Sequence, residues 1–316
     1  MQTRILVTFF LLLAFSAGLA QDGWRAVGKP VALTPPESYF MQPFWSPDGK
    51  KIAVAGKNYR GLWVMRADGA NLKHLSDERS AGYRFAWSPD SREIVARVIR
   101  YSGRRKLYLI KIFNTLNEET RTLREYKSSV LGLPQWSSDG QRIYIFTQQG
   151  LEFMDAKISD RSKLTGKPFF YNTKKELVLA DWQGKTEKRM QPVAGTYLNA
   201  VLAPDGGKVA FQVLGGHLYV VNVDGSGLVD LGTGERPDWS PGSDWLVYMI
   251  PTDDGHRFLT SDLFVIKADG SGKKNLTRTD DRLEMNPGWS PEGDSIVFDE
   301  RESGRIYRLR VESVSR

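Results

Sequence analysis

Apolar residues come along this chain in short bursts, each bounded by Gly, Asp, Ser or Pro. One series comprises Ile52-Ala53-Val54-Ala55, Ile94-Val95-Ala96, Ile143-Tyr144-Ile145-Phe146, Val209-Ala210-Phe211, Trp245-Leu246-Val247-Tyr248 and Ile296-Val297-Phe298. A second burst follows each of these, beginning at Leu62, Leu107, Leu151, Leu218, Leu263 and Ile306. Runs this short, rich in β-branched and aromatic residues and closed by turn formers, predict strands.

What precedes each first burst is a repeated turn. Trp45-Ser46-Pro47-Asp48-Gly49 returns as Trp87-Ser88-Pro89-Asp90-Ser91 and Trp136-Ser137-Ser138-Asp139-Gly140. It returns again as Leu202-Ala203-Pro204-Asp205-Gly206, Trp239-Ser240-Pro241-Gly242-Ser243 and Trp289-Ser290-Pro291-Glu292-Gly293. Asp-Gly pairs at 68–69, 224–225 and 269–270 mark tight hairpins after the second burst, because that dipeptide tolerates positive φ. A further strand then carries Leu75, Leu123, Leu164, Leu231 or Leu276. Each unit therefore reads as a four-stranded antiparallel meander, and tandem meanders of about 40 residues predict an all-β propeller. The recurrent Asp48, Asp90, Asp139 and Asp205 are expected to bond their own turn backbone.

The spacing of the markers at 45, 87, 136, 202, 239 and 289 leaves one interval of 66 residues, too long for one blade. Within it, Lys167 to Pro192 holds three β-like runs, either a seventh blade or a hairpin insertion in a six-bladed ring; seven blades are favoured. The last unit stops after its third strand, near Arg310. Val31-Ala32-Leu33-Thr34 matches the Leu-Thr ending of Asn275-Leu276-Thr277, so the N-terminal strand is expected to complete the last blade and close the ring.

The first twenty residues change the picture from fold to address. Arg4, the apolar run Ile5 to Phe15, and the small residues Ser16, Ala17, Gly18 and Ala20 form a secretory signal peptide pattern with cleavage after Ala20. The run is short for a bilayer span and no later stretch approaches one. The expected organisation is thus a signal peptide at 1–20 and a single propeller domain at 21–316. With no cysteine in the chain, disulfides, thiolate nucleophiles and Cys-bound metals are excluded, and a bacterial periplasm is the expected compartment. The net charge of +7 suits anionic partners, but no Lys/Arg block resembles a nucleic-acid arm.

Tandem Trp-Ser-Pro-Asp-Gly turns followed by an aliphatic strand and an Asp-Gly hairpin resemble the WD-like repeat of the TolB-type β-propeller family. The resemblance covers residues 24–316 and implies the fold. Similar repeats occur in propellers of prolyl oligopeptidase-type peptidases and some polysaccharide lyases, so it implies no single activity. TolB proteins carry an additional N-terminal α/β domain, whereas here the propeller pattern starts almost at the expected cleavage site.

Catalytic motifs are absent from the sequence. Gly288-Trp289-Ser290-Pro291-Glu292-Gly293 is one residue too long for a nucleophile elbow and belongs to the repeat turn. Gly270-Ser271-Gly272-Lys273 lacks the first glycine of a phosphate loop and no helix follows it. His74, His217 and His256 fall in three different blades, which argues against a histidine metal centre. Asp253-Asp254 and Asp280-Asp281 leave one blade on the same face and could meet a cation, although turn residues in water are the commoner role.

The face formed by the inter-blade connections and the second-to-third-strand loops collects Tyr39, Asn58, Tyr59, Arg60, Arg79, Tyr83, Arg84, Arg100, Tyr101, Arg104, Arg105, His256 and Arg257. Tyr and Arg combine apolar area with fixed donors and are enriched at binding hot spots. Tyr39, Tyr59, Arg60, Tyr83, Arg100, Tyr101, Arg104, Arg105, His256 and Arg257 are the expected partner-binding residues. The opposite face, with its Trp-Ser-Pro and Asp-Gly turns, reads as structural. The expectation is a monomeric, non-enzymatic binding or scaffold protein without a cofactor, acting on periplasmic or envelope proteins or an anionic ligand. The alternative is a metal-assisted carbohydrate-active enzyme.

Overall fold

The computed structural model describes residues 23–127, 132–156, 169–181, 183–279 and 282–314. The signal segment, Leu164 and the Asp280-Asp281 pair lie outside the described residues. The chain folds into seven antiparallel sheets. Blade 1 holds β2 (Phe40–Trp45), β3 (Lys51–Gly56), β4 (Leu62–Arg66) and β5 (Lys73–Ser76); blade 2 holds β6 (Ala86–Trp87), β7 (Glu93–Ser102), β8 (Arg105–Asn114) and β9 (Thr120–Tyr126). Blade 3 contributes β10 (Gln135–Trp136), β11 (Arg142–Thr147) and β12 (Gly150–Asp155); blade 4 contributes β13 (Phe169–Asn172), β14 (Leu177–Ala180) and β15 (Thr186–Met190). Blade 5 comprises β16 (Tyr197–Leu202), β17 (Lys208–Val213), β18 (Leu218–Asn222) and β19 (Val229–Gly232); blade 6 comprises β20 (Glu235–Trp239), β21 (Trp245–Asp253), β22 (Phe258–Lys267) and β23 (Lys274–Asn275). Blade 7 is β24 (Glu284–Trp289), β25 (Ser295–Glu300) and β26 (Arg305–Val314), with β1 (Gly23–Ala32) as its outer strand.

The ring is therefore a seven-bladed propeller, and the 66-residue interval holds a blade of its own. Its described strands take the second to fourth positions of a blade. The β13–β14 turn lies on the loop side, since Tyr197 at the start of β16 donates its N–H to Lys174 O at 2.7 Å. At the seam, β1 runs antiparallel to β26 from Gly23↔Val314 to Ala32↔Tyr307. The register slips between Val27 and Val31, where Gly28 has φ 76° and Pro30 has no N–H to give the ladder.

The bursts of consecutive apolar residues arise because each sheet is buried on both faces. In β3, Ile52 and Val54 pack towards blade 7 with Val297 and Ile306, while Ala53 joins Trp87, Ile94 and Ala96 of blade 2. The same alternation builds apolar layers between blades 2 and 3, 4 and 5, 5 and 6, and 6 and 7.

The repeated turn is explained by its hydrogen bonds. The serine after each Trp is buried. Its Oγ accepts the N–H five residues on, from Lys51, Glu93, Arg142, Trp245 and Ser295, at 2.9–3.1 Å. It donates to the turn aspartate: Asp48, Asp90 and Asp139 two residues later, or Asp244 and Asp294 where the earlier position is not Asp. Asp48, Asp90, Asp139 and Asp205 each accept an N–H from their own turn, as expected from the sequence. The indole N–H groups tie blades together: Trp45 to Gly288 O, Trp87 to Phe44 O, Trp136 to Ala86 O and Trp239 to Val201 O, at 3.1–3.2 Å. Trp289 departs from this rule. Its indole bonds Gly293 O within its own turn, and its ring stacks edge-on against Trp24 of the closing strand, 4.9 Å between centroids.

Candidate functional site: the loop face and the central channel

Two hairpins rise from the loop side. In blade 2, β7 and β8 are ten residues each, and in blade 6, β21 and β22 are nine and ten, against six and five for β3 and β4. Four extra residues of strand carry a hairpin roughly 13 Å beyond the blade body. The tips carry Arg104 and Arg105 in blade 2, and His256 and Arg257 in blade 6, all exposed. Tyr101 and Leu259 beside them are 53% and 49% exposed.

The other expected binding residues lie lower. Tyr59 meets Tyr83 edge-to-face at 5.0 Å, bringing blade 1 and the connection to blade 2 together. Tyr39 donates its hydroxyl to Arg301 O at 3.0 Å, and Lys57 Nζ sits 5.1 Å from its ring. Arg60 Nε reaches Asp77 O at 3.3 Å. Arg100 pairs with Glu125 on the outer strand at 2.6 Å, and Arg79 stacks on Tyr101 at 5.6 Å. No hydrogen bond, ion pair or ring contact among the described residues joins the blade 2 tip to the blade 6 tip. The carboxylates of Asp253 and Asp254 serve their own turn: Asp253 accepts from Gly255 N–H, and Asp254 from His256 and Arg257 N–H, each at 2.9 Å. His74 pairs with Asp77 and His217 with Asp230, and no group of three or more potential metal ligands forms among the described residues.

Between the blades runs a channel that sequence reasoning did not single out. In or just before five innermost strands stands a left-handed residue, three positions ahead of the Trp or Leu of the repeat: Gln42, Arg84, Asn199, Arg236 and Asn286, with φ of 50–55°. In β2, β16, β20 and β24 the ladder register shifts at this residue, the signature of a bulge. All five side chains line a cavity of about 590 Å³ that opens on the turn side, among Trp45, Pro47, Pro204, Pro241 and Pro291. Arg236 and Asn286 also line a second cavity of about 320 Å³ on the loop side, together with Tyr39, Tyr59 and Phe258. The bulge residues thus form the partition between two vestibules. A repeat alignment extended three residues upstream of the Trp, or of Leu202 in blade 5, reaches all five positions.

Buried charge gathers around this partition. Asp299 Oδ1 accepts Asn286 Nδ2–H at 2.9 Å and Gln42 N–H at 3.0 Å. Burial nevertheless pushes its carboxyl up to about 7, overriding these bonds and nearby Arg236. Asp238 keeps some surface open to the channel, yet the protein packed round it pushes it up to about 6, against the hydrogen bond from Trp289 N–H at 2.8 Å. Arg84 is pushed down to about 10, first by burial and then by the charge of Arg236. Glu284, at the loop-side start of β24, is pushed up to about 7 mainly by burial, and its Oε2 has no partner.

No protein-family model matches the sequence. Among solved structures, the chain is similar to the Cps50 (Swd1) β-propeller domain of Myceliophteria thermophila, with a TM-score of 0.63 and 10% identity over 92% of this chain and 100% of that one. It is also similar to TolB from Acinetobacter baumannii, with a TM-score of 0.48 and 16% identity over 87% of this chain, and it spans 64% of the length of that TolB chain. An oligogalacturonate lyase in complex with manganese gives a TM-score of 0.49 and 10% identity over 92% of this chain and 96% of that one. The likeness to the Cps50 domain bears on the fold alone, since propellers host unrelated functions.

Proposed function

We propose that this chain is an exported, periplasmic binding or scaffold protein of the TolB-like kind, without catalytic activity of its own, which holds an envelope protein partner against its loop face. The observation that carries this reading is the pair of protruding hairpins, whose tips present Arg104, Arg105, His256 and Arg257 with exposed Tyr101 and Leu259. Two raised arms flanking a vestibule lined by Tyr39 and Tyr59 offer a concave surface with rigid aromatic anchors and bidentate donors. The signal peptide pattern at 1–20 and the cysteine-free composition support export to the periplasm.

The test is capture from envelope extract of the native host. Replacing Arg60, Arg104 and Arg105 by Ala is expected to weaken capture, whereas replacing Lys50, Lys273 and Lys274, on the turn side, leaves it intact. Capture lost with the lysine set and kept with the arginine set would reverse the assignment of faces. Mass spectrometry of the same material is expected to find a mature N-terminus near Gln21, and a retained Met1 counts against export.

A further inference from the structure

The two channel arginines, both half-buried, form no ion pair among the described residues. Among the described residues the Arg236 side chain makes no hydrogen bond or ion pair, and the Arg84 side chain makes a hydrogen bond to the neutral carboxamide of Asn199. A cation taken out of water without a partner is costly, and two of them beside one cavity repel as well. The nearby carboxyls are engaged elsewhere by their hydrogen bonds. Asp299 spends its hydrogen-bonding on Asn286 and the Gln42 N–H, and Asp238 on the Trp289 N–H. Burial holds both above the ordinary carboxylate range, and Asp299 meets the charge of Arg236 only through space, without an ion pair among the described residues. Guanidinium donors without an anionic partner, converging on one cavity, are what an anion site consists of before its anion arrives.

The walls describe the rest of the ligand. Towards the turn side the cavity is lined by Phe44, Trp45, Val201 and Leu202, with the prolines of the repeat turns at its mouth. Phe44 is 37% exposed, unusual for an aromatic residue in an innermost strand. A cavity of about 590 Å³ lies within the ordinary range for small-molecule sites. An apolar wall leading inward to two guanidinium groups fits an amphipathic anion that enters body-last. We propose that the channel is a binding site for a small organic anion, a carboxylate or phosphate monoester with an aromatic or aliphatic body, its head held by Arg84 and Arg236 and its body against Phe44, Trp45 and Leu202.

This proposal does not depend on the loop-face reading, because the site opens on the other side of the ring. It is tested on the mature protein by calorimetry and tryptophan fluorescence with phenyl phosphate, inorganic phosphate and benzyl alcohol as probes. Phenyl phosphate is expected to bind saturably, inorganic phosphate more weakly, and the neutral alcohol not measurably. In the double variant Arg84→Gln/Arg236→Gln the affinity for phenyl phosphate should fall at least about tenfold, the loss of charge-assisted bonds. Arg236→Gln alone serves as the check on folding. With one of two repelling cations gone it should melt no lower than the wild type, and added phenyl phosphate should raise its melting temperature less than it raises that of the wild type. Equal affinity of the double variant and the wild type would overturn the site, as would the absence of saturable binding by either anion up to about 10 mM. Binding of phosphate and phenyl phosphate with equal strength would overturn the assignment of the apolar wall.

Discussion

On the turn side of the ring the chain reverses again and again through nearly one turn, its buried serine hydroxyls and carboxylates paired in the same way each time. On the loop side the blades differ in length and reach. Blade 1 turns through a single 3₁₀ turn at Lys57–Tyr59, while blades 2 and 6 send out long hairpins. The difference separates two jobs. Repetition at one end satisfies the backbone alike in the five blades that carry the serine, and four indole N–H bonds hold neighbouring blades together. Variation at the other end costs the ring little, because those loops point into water and few interior contacts constrain them. Changes at the repeated end should therefore lower stability, and changes at the varied end should alter what the molecule holds.

The largest effect is expected where the ring closes. Deleting Val27 to Thr34 removes buried Leu33 and Thr34, part of the β1–β26 ladder, and the bond that Ile306 N–H donates to Thr34 Oγ1. It also leaves β26 as an open edge. One buried Leu and a few ladder bonds amount to at least about 4 kcal/mol. Thermal unfolding of this deletion against a trim of Gln21 to Gly23 measures it, and equal melting temperatures would mean that the N-terminal strand does not latch the ring.

A smaller effect lies beneath the loop side. Glu284 is fully buried and Asp299 nearly so, and both are pushed up to about 7. In the unfolded chain such groups ionise near 4. The folded state therefore binds protons more tightly, and the stability these groups contribute is complete below about pH 4 and is lost as the pH rises through about 7. The melting temperature should fall over that interval in the wild type. Glu284→Gln, which keeps the shape of the protonated carboxyl, should make the fall shallower. An unchanged slope would show that Glu284 is not a source of the pH dependence.

Smaller again is the cost of one turn serine. Ser88→Ala strips the acceptor from the Glu93 N–H and the donor from Asp90, a loss of about 1–3 kcal/mol for a buried unsatisfied group. The chain sets the lower bound itself, since Ala203 stands at this position in blade 5. Denaturant unfolding measures the loss, and partner capture by this variant should match the wild type. Replacing Arg104 and Arg105 by Ala should do the reverse, with stability within about 0.5 kcal/mol of the wild type.

Much of the fold was legible because repetition multiplies a weak signal. A single Trp-Ser-Pro turn is ambiguous, but six copies at similar spacing fix the strand order, and a shared Leu-Thr ending locates the closing strand. Blade 4 was legible only as a gap with three β-like runs in it, since it lacks the marker turn among the described residues. The positions of Arg104, Arg105, His256 and Arg257 on hairpins of the loop side follow from the same count, whereas their reach beyond the blades does not. The channel escaped because its residues share a backbone conformation and not a residue type. Gln, Arg, Asn, Arg and Asn at the bulge have only φ in common, and Asn alone is favoured there by its side chain. Nothing in the sequence marks Glu284, whose burial is set by Ser261, Thr279 and the closing of blade 7 over it.

The division between the two ends is tested most directly by photo-crosslinking in the periplasm of the native host. A photoreactive phenylalanine is placed in turn at Tyr59, Tyr101, Leu259 and, on the turn side, Lys50 and Lys273. Adducts with one and the same envelope protein from Tyr101 and Leu259, and none from Lys50 or Lys273, are the predicted result. The same adduct from the two lysine positions, with the hairpin positions silent, would contradict it.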